Sequence, residues 1–286
     1  MKLNALGGNY AIGPGVNTRR LVNCYLEHND AGGDGDNNYI VRSSFGWSTY
    51  NIPATPAGDP VPRKIIASTA VKNGLKVFYI IGTLGTIYYF KYNGVSGFVD
   101  SAVTLGGTNS GWYYYTNICG NETTQIAFLR GGNAYVIDVA TDTMTQLTAA
   151  PAAVKNGSAG VFINGRWVVI GSDNRIYYSD LNSPVFDAIN YFELSQDVPL
   201  EMIVDNNNDL VVFSRVHYET FVPSDSLETP LERQINLTGV VGTAFDSGYR
   251  NPTLVKINDV KYWIGRSANN QFAVYRCRGN QTEKIS

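Results

Sequence analysis

A pattern of three short strands, repeated five times, constrains the fold of this 286-residue chain more than any other feature. Each copy reads as a strand, a turn rich in Asn or Gly, an apolar strand, a second such turn and a strand that carries a tyrosine. The third-strand tyrosines are separated by 47, 42, 41 and 57 residues; they are Tyr88, Tyr135, Tyr177, Tyr218 and Tyr275. A repeat of about 40 to 50 residues is typical of β-propellers and other arrays.

The best-defined turn lies in the third copy, between the segments AGVFI and RWVVIG. Asn164 and Gly165 stand there between alternating apolar residues. A two-residue type I′ turn requires φ > 0 at both central positions, which Asn-Gly supplies. A weaker segment follows each third strand and predicts a fourth, outermost strand; these segments are GFVDS, TMTQL, NYFEL, RQINL and TEKIS.

We therefore predict an all-β fold, a β-propeller of four-stranded antiparallel blades, with six blades favoured and five to seven allowed. Residues 65–286 hold the five repeats, and residues 1–64 are expected to form an N-terminal arm and strands that complete the first blade. The apolar second strands, centred on residues such as Ile80, Val169 and Ile264, should be buried because the sheets stack radially. A two-sheet sandwich or a β-solenoid stays an alternative.

Charge is scarce in this sequence, with 16% charged residues and a formal net charge of −2. Binding dominated by phosphate contacts needs clustered Lys and Arg, so nucleic acid is not expected as a tightly held ligand. The sequence shows neither a membrane span nor the apolar region of a signal peptide, which predicts a protein that is not exported. Cys24, Cys119 and Cys277 are odd in number and far apart, which indicates small apolar side chains rather than disulfides or a zinc site.

Motifs of catalysis are missing from the sequence, and we predict no catalytic residue, metal or cofactor. The histidines, His28 and His217, belong to no nucleophile or zinc motif; we expect His28 at a strand end and His217 at a half-exposed strand position. Paired carboxylates can hydrolyse glycosides, and Asp180, Glu193 and Glu201 are the candidates. A propeller that degrades polysaccharide or binds sugar is therefore the alternative function.

Two acidic loops raise the question of calcium. The loop Asp30–Asn38 offers several carboxylates, but Gly32 and Val41 replace the third and twelfth ligands that an EF-hand loop would need. The segment Asp205–Asp209 reads as a polar turn between two strands. Calcium binding by the first loop stays open at this point.

The segment NTRRLVNCYLE, Asn17 to Glu27, carries a recognisable motif. Arg20, Asn23, Tyr25 and Glu27, followed by a polar loop and then VRSSFGWSTY, resemble the opening of the packaged-DNA stabilisation proteins of short-tailed bacteriophages. Proteins of that family form the tail hub, or nozzle, below the portal. The close match covers roughly 35 residues, and these hubs are often longer than this chain.

The resemblance implies a non-enzymatic virion protein in the tail, assembled in the bacterial cytoplasm. It implies a homo-oligomeric ring, a hexamer, that docks on the portal-adaptor proteins and receives the tail needle and the tailspike or fibre proteins. DNA would pass through the channel without sequence-specific binding. By the same resemblance, the four motif residues would serve assembly.

Overall fold

The computed structural model of the chain is all-β. It describes residues 3–6, 9–12, 19–20, 24–28, 39–43, 62–82, 87–92, 98–106, 117–129, 133–195, 197–205, 207–214, 217–226, 229–237, 254–257, 260–266, 272–278 and 281–285. The chain divides into two compact units, Met1–Asn51 and Ile52–Ser286. No helix in the described part of the chain has the length and apolar character of a membrane span.

The first unit contains two small antiparallel sheets. One consists of β1 (Leu3–Leu6), β2 (Asn9–Ile12) and β3 (Arg19–Arg20). The other pairs β4 (Cys24–His28) with β5 (Tyr39–Ser43). His28 is the last residue of β4, which confirms its predicted place at a strand end.

The second unit consists of five four-stranded antiparallel blades arranged as a β-propeller. Blade 1 comprises β6 (Pro62–Lys72), β7 (Leu75–Gly82), β8 (Ile87–Tyr92) and β9 (Phe98–Gly106). Blade 2 comprises β10 (Asn117–Gly120), β11 (Thr124–Leu129), β12 (Asn133–Asp138) and β13 (Thr143–Gln146). A short helix, α1 (Ala152–Lys155), leads into the next blade.

The remaining three blades follow the same order. Blade 3 comprises β14 (Ala159–Ile163), β15 (Arg166–Ile170), β16 (Ile176–Ser179) and β17 (Phe186–Phe192). Blade 4 comprises β18 (Glu201–Val204), β19 (Leu210–Phe213), β20 (Tyr218–Pro223) and β21 (Leu231–Leu237). Blade 5 comprises β22 (Val255–Ile257), β23 (Val260–Arg266), β24 (Phe272–Arg278) and β25 (Gln281–Lys284).

Each pair of successive blades packs through an apolar cluster, as the radial stacking of sheets requires. Val77 and Tyr79 of blade 1 join Ile118 and Ile137 of blade 2 in one such cluster. Similar clusters join blade 2 to blade 3 through Phe128 and Trp167, blade 3 to blade 4 through Val168 and Val212, and blade 4 to blade 5 through Phe213 and Trp263. The second strands therefore supply much of the core, as predicted.

The predicted hairpin turn is confirmed by its backbone angles. Asn164 has φ 47° and Gly165 has φ 75°, both in the left-handed region that a type I′ turn demands. The same turn recurs in blade 1, where Asn73 has φ 54° and Gly74 has φ 75°. The Asn-Gly pairs thus set the register of β14 with β15 and of β6 with β7.

The described residues form five blades rather than the favoured six, a number within the predicted range. Each of the five repeats forms its own complete sheet, whereas the strands upstream of Pro62 pair with one another. That residues 1–64 complete a blade stays a prediction. Ile264 lies on the second strand of its blade, as predicted, but its expected burial is wrong: it is 38% exposed, whereas its neighbour Trp263 is 1% exposed. A shift of one residue exchanges the two faces of a strand.

Candidate functional site

The last blade exposes large apolar side chains on one of its two faces. Val255, Ile257, Ile264, Phe272 and Ile285 are between 38% and 59% exposed. We call these five side chains the exposed face of blade 5. They are five of the eight large exposed apolar side chains found among the described residues, so blade 5 holds most of this surface.

The strand register explains why these side chains share a face. Val255 and Ile257 lie two residues apart on β22, and alternate residues of a strand point to the same side. Across the sheet, Ile264 pairs with Val274, and Ile285 donates its backbone N–H to the carbonyl of Val274 at 2.9 Å. The exposed face therefore extends from the first strand of the blade to the residue after its last strand.

The opposite face of blade 5 is buried against blade 4. Trp263 packs on Phe213 with ring centroids 5.1 Å apart, and it stacks on Tyr275 at 5.8 Å. Cys277 is fully buried, with its Sγ 3.7 Å from the Tyr218 hydroxyl. This thiol is a small core side chain, as predicted. One face of the blade is thus a blade-to-blade interface, and the other carries similar residue types toward solvent.

Charged side chains lie around the apolar residues of this blade. Arg276 forms an ion pair with Glu283, and the hydrogen bond to that carboxylate raises the pKa of Arg276. Arg278 is exposed at the end of β24. Lys256 belongs to the opposite side of β22, where it donates to the carbonyl of Val204 of blade 4 at 2.8 Å. The exposed face of blade 5 therefore combines apolar side chains with charged ones, as many protein interfaces do.

A buried polar network lies where blade 3 leads into blade 4. His217 and Glu219 are 1% and 0% exposed, and His217 Nε2 lies 3.0 Å from Glu219 Oε1. A carboxylate only accepts hydrogen bonds, so Nε2 is the donor. Nδ1 of the same ring lies 3.0 Å from the Ser214 hydroxyl. Ser195 donates its N–H and its hydroxyl to Glu219 Oε1 at 2.8 and 2.5 Å.

Arg233 on the outermost strand completes this network. Its Nε lies 2.6 Å from Glu219 Oε2, and its Nη2 donates to the carbonyl of Glu193 at 2.6 Å. Burial by itself would raise the pKa of Glu219. The hydrogen bonds from Ser195 and His217 and the charge of Arg233 outweigh burial and hold this pKa below its usual value.

The arrangement of serine, histidine and glutamate has the residue types of a nucleophilic triad, but its geometry is that of a turn. Ser214 is fully buried; its hydroxyl accepts the His217 N–H at 3.1 Å and lies 2.9 Å from the His217 carbonyl oxygen. A nucleophile must reach a substrate, whereas the Ser214 hydroxyl is bonded to the backbone of the connection between β19 and β20. The expected half-exposed position of His217 is wrong, because its ring fills the space between Ser214 and Glu219. The sequence signal for the contact between His217 and Glu219 is the spacing H-x-E. In a strand, this spacing places both side chains on one face.

Two of the three glycosidase candidates are held by separate partners. Glu193 accepts a hydrogen bond from Arg175 Nε at 3.0 Å. Glu201 is 6% exposed at the start of β18, where it accepts the backbone N–H of Leu254 at 2.9 Å. Asp180 is exposed in the turn after β16. Glu193 and Glu201 therefore serve contacts within the scaffold.

The second acidic turn, Asp205–Asp209, is closed by its own hydrogen bonds and contacts a lysine of blade 5. Asp205 Oδ1 accepts hydrogen bonds from the backbone N–H groups of Asn207 and Asp209 at 2.9 and 3.0 Å. The bond from Asn207 is that of an Asx-turn. Lys261, 5% exposed, points its Nζ at Asp205 Oδ2 from 3.4 Å. Burial and the Asp205 charge raise the pKa of Asp209. The part of the chain with described side chains contains no group of ligands suited to a metal ion.

The motif residues of the first unit are placed only at the level of strands. Arg20 ends β3, opposite Asn9 of β2, and Tyr25 and Glu27 lie on β4, opposite Arg42 and Ile40 of β5. Asn23 and the loop Asp30–Asn38 lie outside the described residues. Their roles in assembly and in calcium binding stay predictions.

Comparison with solved structures identifies the architecture. A candidate 6-phosphogluconolactonase from Bacteroides uniformis is similar at 14% identity and a TM-score of 0.51, over 82% of this chain and 73% of that one. A protein of unknown function from Desulfotomaculum acetoxidans is similar at 10% identity and a TM-score of 0.55, over 80% and 73%. The similarity is one of fold. No protein-family model and no curated protein sequence matches this chain.

A shared propeller fold leaves the function to be argued from this chain's own residues, because one fold carries many functions. In the described part of the chain, the His217–Glu219 network and the exposed face of blade 5 are two features to consider. The network is enclosed, whereas the face is accessible to another macromolecule.

Proposed function

We propose that this protein is a non-enzymatic structural protein that assembles through the exposed face of blade 5. The observation that carries the proposal is the presence of five large exposed apolar side chains on one sheet face. Apolar patches with a polar rim mark protein–protein interaction sites. The four cores between successive blades consist of the same residue types, so this face is suited to pack against another apolar surface.

The wider assembly that we propose is the tail of a short-tailed bacteriophage, with this chain as its hub or nozzle. The resemblance of Arg20, Asn23, Tyr25 and Glu27 to the family motif supports this role. The chain would form a ring, a hexamer, that docks on the portal-adaptor complex, extends the DNA channel, helps to retain packaged DNA and attaches needle and spike or fibre proteins. The net charge of −2 suits a wall past which DNA slides, because clustered cations would hold it.

The buried chemistry of the propeller supports a non-enzymatic role. Ser214, His217 and Glu219 are enclosed, and Glu201 holds a backbone N–H of the next blade. These groups stabilise connections between strands and blades. Their hydrogen bonds give each a structural task that does not need a substrate.

The decisive measurement has two parts. Mass spectrometry and electron microscopy of purified particles should find the chain in the tail. The double variant Ile257→Ser/Ile264→Ser should assemble into rings or particles much less well, whereas the control Leu181→Ser/Ile189→Ser, with two exposed apolar residues outside blade 5, should assemble normally. A chain that is absent from particles contradicts the tail role, and equal assembly of the two double variants contradicts the role of the face.

The alternative function has its own measurement. A polysaccharide-degrading propeller would release sugar from host capsule or lipopolysaccharide, and Glu193→Gln or Glu201→Gln would abolish the release. We expect no release by either the wild-type chain or these variants. Turnover that depends on one of the two carboxylates would replace the structural role with an enzymatic one.

A further inference from the structure

A groove separate from blade 5 runs along the outermost strand of blade 3. It has a volume of about 370 Å³ and lies between the segment Ala149–Pro151 and the residues at the start of β17. Asp180 and Val185 line it from the turn before that strand, and Asp187 and Asn190 line it from the strand itself. This volume falls within the range of about 300 to 1,000 Å³ that binding sites occupy.

A large bulge in β17 shapes the groove. Tyr177 pairs with Tyr191, and Ser179 pairs with Phe186, so four residues of β17, 187–190, stand opposite Tyr178 alone. Residues 187–189 of this bulge are exposed, and the Asp187 carboxylate accepts the Ile189 N–H at 3.2 Å. Bulges of this kind next to functional sites redirect side chains. Here the bulge places Asp187 in the groove and leaves Ile189 78% exposed.

The lining combines small apolar side chains with negative charge. Ala149, Ala150 and Ala188 leave space, and Phe186 is buried beneath them at 5% exposure. Among the described residues that line the groove, Asp180 and Asp187 are the charged ones, and none is Lys or Arg. The neighbouring Lys155 points to the carbonyl of Thr148 at 3.3 Å. The groove therefore presents two exposed carboxylates beside small apolar side chains.

We propose that this groove binds an extended segment of a partner protein that carries Arg or Lys next to an apolar side chain. The alkyl stem of Arg or Lys packs on apolar surface while its charged head stays at the polar edge. In the groove the stem would contact Ala188 and Val185, and the head would donate hydrogen bonds to Asp180 and Asp187. The two carboxylates repel DNA phosphates and acidic sugars, which favours a basic peptide. The proposal uses a different surface from the one that we propose for assembly and does not depend on it.

The test uses the full chain with two labelled peptides, Gly-Ser-Arg-Ile-Lys-Ser-Gly and its uncharged counterpart Gly-Ser-Gln-Ile-Gln-Ser-Gly. Fluorescence anisotropy should show binding of the basic peptide and weaker binding of the uncharged one. Asp180→Asn/Asp187→Asn should weaken binding of the basic peptide by about tenfold, which corresponds to about 1.4 kcal/mol, because two charged contacts at exposed side chains each contribute less than about 1 kcal/mol. Ala188→Trp, which fills the groove and leaves its charge unchanged, should weaken binding to a similar extent.

The matched control is Glu122→Gln/Asp225→Asn, which removes two exposed carboxylates that lie outside the groove. It should bind the basic peptide as the wild type does. Equal weakening by this control would show general charge attraction and overturn the proposal. Unchanged binding after both Asp180→Asn/Asp187→Asn and Ala188→Trp would overturn it as well. Binding of a DNA oligonucleotide, or self-association lost in the Asp180→Asn/Asp187→Asn variant, would assign the groove to a different occupant.

Discussion

His217 Nε2 donates to Glu219 Oε1 across 3.0 Å, with both side chains almost completely buried. The glutamate also receives two hydrogen bonds from Ser195 in the connection from blade 3 and an ion pair from Arg233 in the outer strand of blade 4. One carboxylate thus joins a turn, an inter-blade connection and an outer strand. We infer that Glu219 fixes the orientation of blade 4 relative to blade 3.

Replacing Glu219 with Gln should lower the free energy of unfolding by about 2 to 4 kcal/mol. Removal of one partner from a buried ion pair leaves the other uncompensated, although the partial exposure of Arg233, 39%, moderates the loss. Urea denaturation checks the value. Glu193→Gln is the control, since it breaks an exposed pair with Arg175 and should leave the urea midpoint unchanged. An unchanged midpoint for Glu219→Gln would contradict the role of the network.

The lowered pKa of Glu219 predicts how the free energy of unfolding depends on pH. The pKa of Glu219 is lower in the folded chain than its ordinary value of about 4.3, so the unfolded chain binds the proton first. The stabilisation is therefore complete above about pH 4.3 and is lost as the pH falls toward the lower, folded pKa. Asp209, whose pKa is raised, acts in the opposite direction.

Comparison of the wild type with Glu219→Gln isolates this effect. Urea denaturation at a series of pH values should show a large difference in the free energy of unfolding near neutrality. That difference should become smaller below about pH 4.3, where the wild type loses the charge that the variant lacks at every pH. A difference that stays constant through the acidic range would show that Glu219 contributes by shape rather than by charge.

The repeat in the sequence predicted the blades because strand periodicity and turn chemistry are local properties. Tyr177 and Tyr275 mark the third strands, and Asn164 marks a turn that depends only on its own backbone. The face of a strand is less well specified when neighbouring residues are both apolar. Trp263 and Ile264 are such neighbours, and burial selects the tryptophan because Phe213 of the preceding blade packs against it.

The candidate sites depend on contacts that the sequence does not display. The network gathers Ser195, Glu219 and Arg233 from three parts of the chain, and only the H-x-E spacing is local. The groove depends on three additional residues in β17, since residues 187–190 stand opposite Tyr178 alone, and no composition signal distinguishes such a bulge from an ordinary outer strand. Blade 5 has apolar side chains on both faces, and the sequence does not show which face packs on blade 4 and which is exposed.

Two glycines with the same backbone angle provide a test of turn strain against side-chain crowding. Gly74 and Gly165 both have φ 75°. A Cβ at position 74 would meet no atom within 4 Å, whereas at position 165 it would lie 2.8 Å from Leu181 Cδ1 and 2.9 Å from Asn182 Oδ1. Gly74→Ala should therefore lower the free energy of unfolding by about 1 kcal/mol through backbone strain alone, and Gly165→Ala should lower it by a similar amount, because Leu181 and Asn182 are exposed side chains whose ends can move aside. Urea denaturation of the two variants measures the difference, and a clearly larger loss for Gly165→Ala would mean that Leu181 and Asn182 are held in place.

The adjacent residues Trp263 and Ile264 test whether blade 5 has one core face and one interaction face. Trp263→Ala should lower the free energy of unfolding by about 3 to 5 kcal/mol, because it empties the contact with Phe213 and Tyr275. Ile264→Ser, at a side chain that is 38% exposed, should change it by less than about 1 kcal/mol. Light scattering should instead show that Ile264→Ser reduces self-association or binding to assembly partners. A severe loss of stability in Ile264→Ser would show that this side chain belongs to the core, and the assignment of the two faces would then be reversed.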